Sequence, residues 1–207
     1  MIAAFTMPCP LYGPDMDREA ASVTTLIMSE AVDTFHIRKP DCPGAVASLV
    51  HAIPERLRHK LVAHSDYADA VRLGVGGLHL SLRNADESIP DIRDTSTLFI
   101  TRSCHSLEEI CAPCHRAQRY QTLSPVFDSI SKKGYKSRFN LENECLPNVL
   151  ANRNVLALGG VTPAVFQKLS SVKFGGAALL GYLWQSERSM EEIINSIISA
   201  RTVFDHT

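Results

Sequence analysis

Several short stretches concentrate side chains able to hold an anion or move a proton. In Phe35-His36-Ile37-Arg38-Lys39-Pro40 the alternation of an extended chain puts His36 and Arg38 on one face, with Phe35 and Ile37 on the other. Two cations, Arg38 and Lys39, stand just before a proline that ends the strand. Such a pair suits a phosphate or pyrophosphate; the plain alternative is a solvated Arg-Lys pair. In Leu158-Gly159-Gly160-Val161-Thr162-Pro163, two glycines let backbone approach an oxyanion, and Pro163 begins a helix whose free N–H groups favour negative charge. Gly175, Gly176 and Gly181 follow in the next unit. Here the alternative is that the glycines only make tight turns. A third stretch, Ser124-Pro125-Val126-Phe127-Asp128-Ser129-Ile130-Ser131-Lys132-Lys133-Gly134, carries hydroxyls and two lysines on one loop. Ser103 and His105 alternate toward one side, although a Ser-x-His pair does not by itself make a nucleophile and its base.

Other chemistries are disfavoured. Cys111 and Cys114 form a single C-x-x-C, and the nearby His105 and His115 match no standard zinc spacing. The six cysteines are expected as reduced thiols. A formal net charge of −1 leaves no electrostatic footprint for nucleic acid or a membrane surface. No apolar run approaches the roughly 18 residues of a spanning helix. Met1 to Pro10 has no basic segment and is broken by Pro8 and Pro10, so no signal peptide is expected and a cytoplasmic location follows.

These residues need a frame, and the chain supplies one by alternating β-rich runs with helical stretches. The runs are Ile2–Thr6, Thr34–Arg38, Lys60–Ala63, Gly77–Ser81, Thr97–Arg102, Tyr120–Leu123, Val155–Leu158 and Ala177–Leu180. The helical stretches lie near Arg18–Ser29, Gly44–Leu57, Tyr67–Leu73, Leu107–Gln118, Arg138–Leu150, Pro163–Leu169 and Met190–Val203. A weak one containing Pro90 follows the fourth strand. Ile193, Ile194, Ile197 and Ile198 are spaced for one helical face. Eight strand–helix pairs in 207 residues predict a single (β/α)8 barrel, one domain over residues 1–207, with an open doubly wound sheet as the alternative. In such a barrel the site lies at the carboxyl ends of the strands, and the loops after strands 7 and 8 form the usual phosphate grip.

Read in that order, the segments resemble the thiamine phosphate synthase/TenI family from about Phe35 to Leu183. The family's H-I-R-x-R after strand 2 is matched by His36-Ile37-Arg38-Lys39-Pro40, and its G-A-D-G-V-H-L-G by Gly74-Val75-Gly76-Gly77-Leu78-His79-Leu80-Ser81. Its G-x-S-x-H-s-x-E-E is matched by Thr101-Arg102-Ser103-Cys104-His105-Ser106-Leu107-Glu108-Glu109. The remaining matches are G-P-V-F-x-T-x-T-K with Ser124 to Lys132, and A-I-G-G-I with Ala157-Leu158-Gly159-Gly160-Val161.

The resemblance implies a transferase of thiamine biosynthesis. It would join a pyrimidine pyrophosphate to a thiazole phosphate, or at least bind the latter. Arg38, Lys39 and Lys132 would hold the pyrophosphate, and Ser103, Ser129 and Ser131 would orient ligands. Gly159, Gly160, Val161 and Gly181 would hold the thiazole phosphate, with His36, His79, His105 and Ser124 lining the site. The synthases hold Mg²⁺ on an N-D pair after strand 3 and an aspartate after strand 4. Here those positions are His64-Ser65, with Asp66 one place off, and Asn84. The histidine of the thiazole tautomerases, in G-H-V-F, is Pro125 here. Mg²⁺ is therefore expected to bind poorly. Three readings stay open: coupling, a TenI-like isomerase, or a non-catalytic binder, the last two favoured by a mouth without a carboxylate pair. A homodimer is left open by the sequence.

Overall fold

The computed structural model describes residues 1–7, 14–80, 98–113, 117–128, 136–137, 139–142, 146–151, 154–185 and 187–204. Short apolar runs buried on both faces form parallel strands because each finds a helix outside and a neighbour on either side. The elements are β1 (Ile2–Phe5), α1 (Pro14–Met28), β2 (Thr34–Ile37), α2 (Ala45–Ala52), β3 (Leu61–Ala63), α3 (Tyr67–Arg72), β4 (Gly77–Leu80), β5 (Phe99–Cys104), α4 (Leu107–Cys111) and β6 (Gln118–Leu123). They continue with α5 (Leu146–Leu150), β7 (Val155–Ala157), α6 (Phe166–Ser171), β8 (Gly176–Leu179), α7 (Gly181–Trp184) and α8 (Met190–Arg201). The eight strands close in sequence order, β8 pairing in parallel with β1 through Ile2↔Ala177, Ala3↔Ala178 and Ala4↔Leu179. The barrel is therefore closed, and the open-sheet alternative is excluded.

Strand alternation sorts side chains into two layers. Ile2, Ala4, Phe35, Ile37, Leu61, Ala63, Leu78 and Leu123 face outward into the shell of helices. Ala3, Phe5, Tyr120, Leu156 and Ala178 fill the barrel interior. Gly77 has its place for this reason: a Cβ there would lie 2.5 Å from the Phe99 ring. α8 closes the shell with buried Ile193 and Ile197, while Ile198 is left exposed. Its start is a capping box, in which Ser189 and Glu192 each satisfy the other's backbone N–H.

Several helices are shorter than the periodicity predicts. The helix expected to reach Gln118 stops at Cys111, because Ala112 precedes Pro113 and takes an extended conformation. Gln118 and Arg119 instead open β6. α2 ends at Ala52 rather than Leu57, two residues before Pro54, and a 3₁₀ turn, Glu55–Lys60, leads into β3. Among the described residues, the stretch expected helical from Arg138 is helical over Leu146–Leu150. α7 is not foreseen by any periodicity, being a single turn. The segment with Pro90 lies outside the described residues.

Candidate functional site

Three consecutive strands each deliver one histidine to the carboxyl-end half of the barrel interior. His36 occupies the inner face of β2, paired in register with Val62, and Val62 is paired with Gly77. Two residues further along each strand, the inner positions are His64, just past β3, and His79, in β4. Continuing the register sets these two rings side by side, stacked at 4.1 Å between centroids and 18° between planes. His36 approaches both edge-on, at 5.2 Å from each. Phe5 stacks on the far side of His36 at 4.3 Å.

The cluster is wired by hydroxyls. His36 Nδ1 lies 2.9 Å from His64 Nε2. His36 Nε2 lies 2.6 Å from the Tyr120 hydroxyl, which is 2.9 Å from Thr34 Oγ1. His79 Nδ1 lies 2.8 Å from Thr101 Oγ1, and Thr101 donates to the Leu78 carbonyl. The Tyr67 hydroxyl donates to the His79 carbonyl at 2.7 Å. Burial disfavours the charged form of every ring. It pushes His36 and His64 well below the usual histidine range and His79 down to about 3. The neighbouring imidazoles add to this for His36 and His64, and the Arg38 guanidinium adds to it for His64 and His79. Near neutral pH the site is a set of uncharged imidazoles. Tyr120 is pushed upward by the same burial, so its hydroxyl keeps its proton.

The structure distributes the sequence-predicted residues unevenly. His36 and His79 meet in this cluster. Arg38 is exposed past the end of β2, its backbone held by mutual bonds with Thr6 Oγ1. Lys39, expected at the mouth, is buried. Its ammonium is 2.5 Å from Glu19 Oε2 and 2.9 Å from the Met7 carbonyl, between α1 and the end of β1. It turns outward because it follows Arg38 by one residue and alternation sends it toward the helices. Ser103 is half-buried on the inner face of β5, next beyond Thr101. His105 and Ser124 form a separate pair at the mouth, His105 Nδ1 lying 3.0 Å from the Ser124 carbonyl and 3.2 Å from its hydroxyl. Ser129, Ser131, Lys132, Asn84, Cys114 and His115 lie outside the described residues.

The glycine turn after β7 has a cause of its own. Gly159 and Gly160 adopt φ of +91° and +66°. A Cβ on Gly160 would sit 2.2 Å from the Asp128 carbonyl oxygen, and one on Gly159 would sit 2.9 Å from Pro125 Cα. Val126 and Phe127 donate backbone bonds to Leu158 and Gly159. Both glycines thus serve the contact with the loop after β6, besides leaving backbone near the mouth. Val161 is buried behind them, and Gly181 opens α7, whose Trp184 indole donates to the Phe5 carbonyl at 2.7 Å.

The donor set near β3 does not fit Mg²⁺. That ion takes near-octahedral oxygen ligands, whereas among the described residues this corner offers three imidazoles and, after β3, Ser65 and Asp66. Asp66 caps α3 at φ +50° and has one buried carboxylate oxygen, Oδ2, without a hydrogen-bond partner among the described residues. Sequence reading missed His64, Tyr120 and Thr101. A signal did exist for His64, since His36, His64 and His79 each stand within one residue of the end of three successive strands.

A family model described as thiamine monophosphate synthase matches residues 11–183. Among solved structures, thiamine phosphate pyrophosphorylase from Bacteroides thetaiotaomicron is similar with a TM-score of 0.73 and 25% identity, over 99% of this chain and 97% of that one. Thiamine phosphate pyrophosphorylase from Pyrococcus furiosus is similar in fold, with a TM-score of 0.70 and 14% identity over 99% and 95% of the two chains. A search among curated protein sequences found no match. No helix among the described residues is long and apolar enough to cross a membrane.

Proposed function

Because the chain belongs to the thiamine monophosphate synthase family, we propose that it binds a thiazole phosphate at the mouth of the barrel and acts on it as a TenI-like isomerase rather than as an Mg²⁺-dependent synthase. The observation that carries this reading is the cluster of neutral imidazoles and hydroxyls at the ends of β2, β3 and β4. Coupling separates a polyanionic pyrophosphate from a developing cation, and a hard cation on carboxylates is the natural device for that step. Moving a proton on a heterocycle needs no hard cation, only hydrogen-bonding groups within reach of the ring. The phosphate would lie by Gly159, Gly160 and Gly181, with Arg38 as the exposed cation beside it.

Asp66 favours a second reading, in which its unpartnered oxygen takes over the family's metal role and coupling persists. One experiment separates them. Thiazole phosphate is titrated into the protein by calorimetry, and thiamine phosphate formation is followed with both precursors across an Mg²⁺ titration. The isomerase reading expects saturable thiazole phosphate binding, exchange of the ring proton seen by NMR, and no Mg²⁺-dependent product. Turnover saturating in Mg²⁺ would overturn it in favour of coupling. Absence of thiazole phosphate binding would overturn both.

A further inference from the structure

We propose that His36, His64 and His79 form a three-imidazole site for a divalent late first-row transition ion of the Zn²⁺ class, bound in the barrel interior below the mouth. One ring nitrogen from each residue lies within 4.8 Å of the others. Zn–N bonds of about 2.0–2.1 Å at tetrahedral angles place ligand nitrogens about 3.3 Å apart. The His36 Nδ1–His64 Nε2 separation of 2.9 Å is close to that value, and no separation in the triad exceeds 4.8 Å. His64 follows β3 rather than lying in it and is only partly buried, so it is the ring with room to adjust.

The second nitrogen of two rings is already held as a metal site requires. A ligating histidine normally donates its other N–H to an oxygen, which sets tautomer and ring orientation. Thr101 passes its own proton to the Leu78 carbonyl, so its oxygen accepts from His79 Nδ1–H and leaves Nε2 with a free lone pair. On the other side, the Tyr120 hydroxyl bridges Thr34 Oγ1 and His36 Nε2; with its proton on Thr34 it accepts from His36 Nε2–H, and His36 Nδ1 is then the nitrogen that faces His64 with a lone pair. Phe5 fixes the plane of His36 by stacking.

Imidazole nitrogens select Zn²⁺, Co²⁺, Ni²⁺ or Cu²⁺ over Mg²⁺. Three protein ligands leave a position open, as in catalytic rather than structural zinc sites. Arg38, whose charge reaches His64 and His79, opposes a bare dication there. It makes an anionic or hydroxide oxygen the favoured fourth ligand.

The inference does not depend on which heterocycle enters the mouth, and it is tested without substrate. Untagged full-length protein is stripped with a chelator and titrated with Zn²⁺ against a chromophoric competitor, then with Co²⁺ while visible absorption is recorded. The expected result is one ion per chain and the d–d bands of a four-coordinate nitrogen site, with Mg²⁺ in large excess failing to displace it. His64→Ala should weaken binding on the order of 100-fold or more, and Tyr120→Phe or Thr101→Val by about 10- to 100-fold. The exposed-residue variants His51→Ala and Cys111→Ser should bind as the unmutated protein does. Circular dichroism and Tm certify folding, and His64→Gln replaces His64→Ala if the latter does not fold. Absence of stoichiometric binding would overturn the proposal. Binding unchanged in a folded His64 variant, or lost in Cys111→Ser, would do the same.

Discussion

Replacing Lys39 by methionine removes one partner of an ion pair whose side chains are only 3% and 1% exposed. Glu19 would then keep the bond from the Met7 N–H at 2.9 Å but lose the Lys39 cation, leaving an uncompensated carboxylate buried between α1 and the end of β1. Breaking a buried pair from one side costs about 3–5 kcal/mol. In a chain of this length each 1 kcal/mol lowers Tm by about 2–4 °C, so a fall of about 6–20 °C is expected. Removing both charges together, in Glu19→Leu with Lys39→Met, should recover part of that loss, because no charge stays buried although the Met7 N–H and carbonyl lose these partners. The assay is thermal unfolding of the three variants beside calorimetric titration with thiazole phosphate, run well below the lowest Tm. Affinity should hardly change, since the ammonium lies in the helix-side layer. A Lys39→Met protein with unchanged Tm and phosphate affinity at least tenfold weaker would refute this reasoning and return Lys39 to the anion site.

Three further outcomes follow from the same geometry. In metal-free protein the three rings have depressed folded-state values, so below the unfolded value of about 6.5 the unfolded chain gains protons that the native state refuses. Stability should fall as pH drops below about 6.5, by about 1.4 kcal/mol per pH unit from His79, whose value is about 3, with His36 and His64 adding in the same direction, and less steeply in His79→Gln; flat urea midpoints from pH 7 to 5 would contradict it. Tyr120→Phe strips the hydroxyl from both His36 Nε2 and Thr34 Oγ1 and should cost about 1–3 kcal/mol in urea unfolding, with the denaturant slope unchanged. Gly160→Ala places a Cβ against the Asp128 carbonyl at positive φ, so it should lose more than about 1 kcal/mol with no ligand present. Equal stability to the unmutated protein would show that the loop after β6 yields.

Much of the barrel could be read from the chain because its causes are local. The eight apolar runs, the two-residue alternation that separates His36 from Phe35, and the glycines before Pro163 need only neighbours in sequence. Helix ends were less legible. Pro113 and Pro54 cut short helices whose apolar spacing continues past them, and the periodicity carries no term for that steric block. The site itself depended on non-local register. The neighbours of His64 in the chain are Ala63 and Ser65, and nothing in that order places its ring on His79 and its nitrogen against His36. That contact exists because the parallel register pairs Val62 with both His36 and Gly77. Lys39 and Gly160 make the same point from the other side. Each has a residue type that suits an anion. Only the tertiary structure opposes Glu19 to the one and the Asp128 carbonyl to the other, because the fold, not the sequence order, decides which groups share a low-dielectric space.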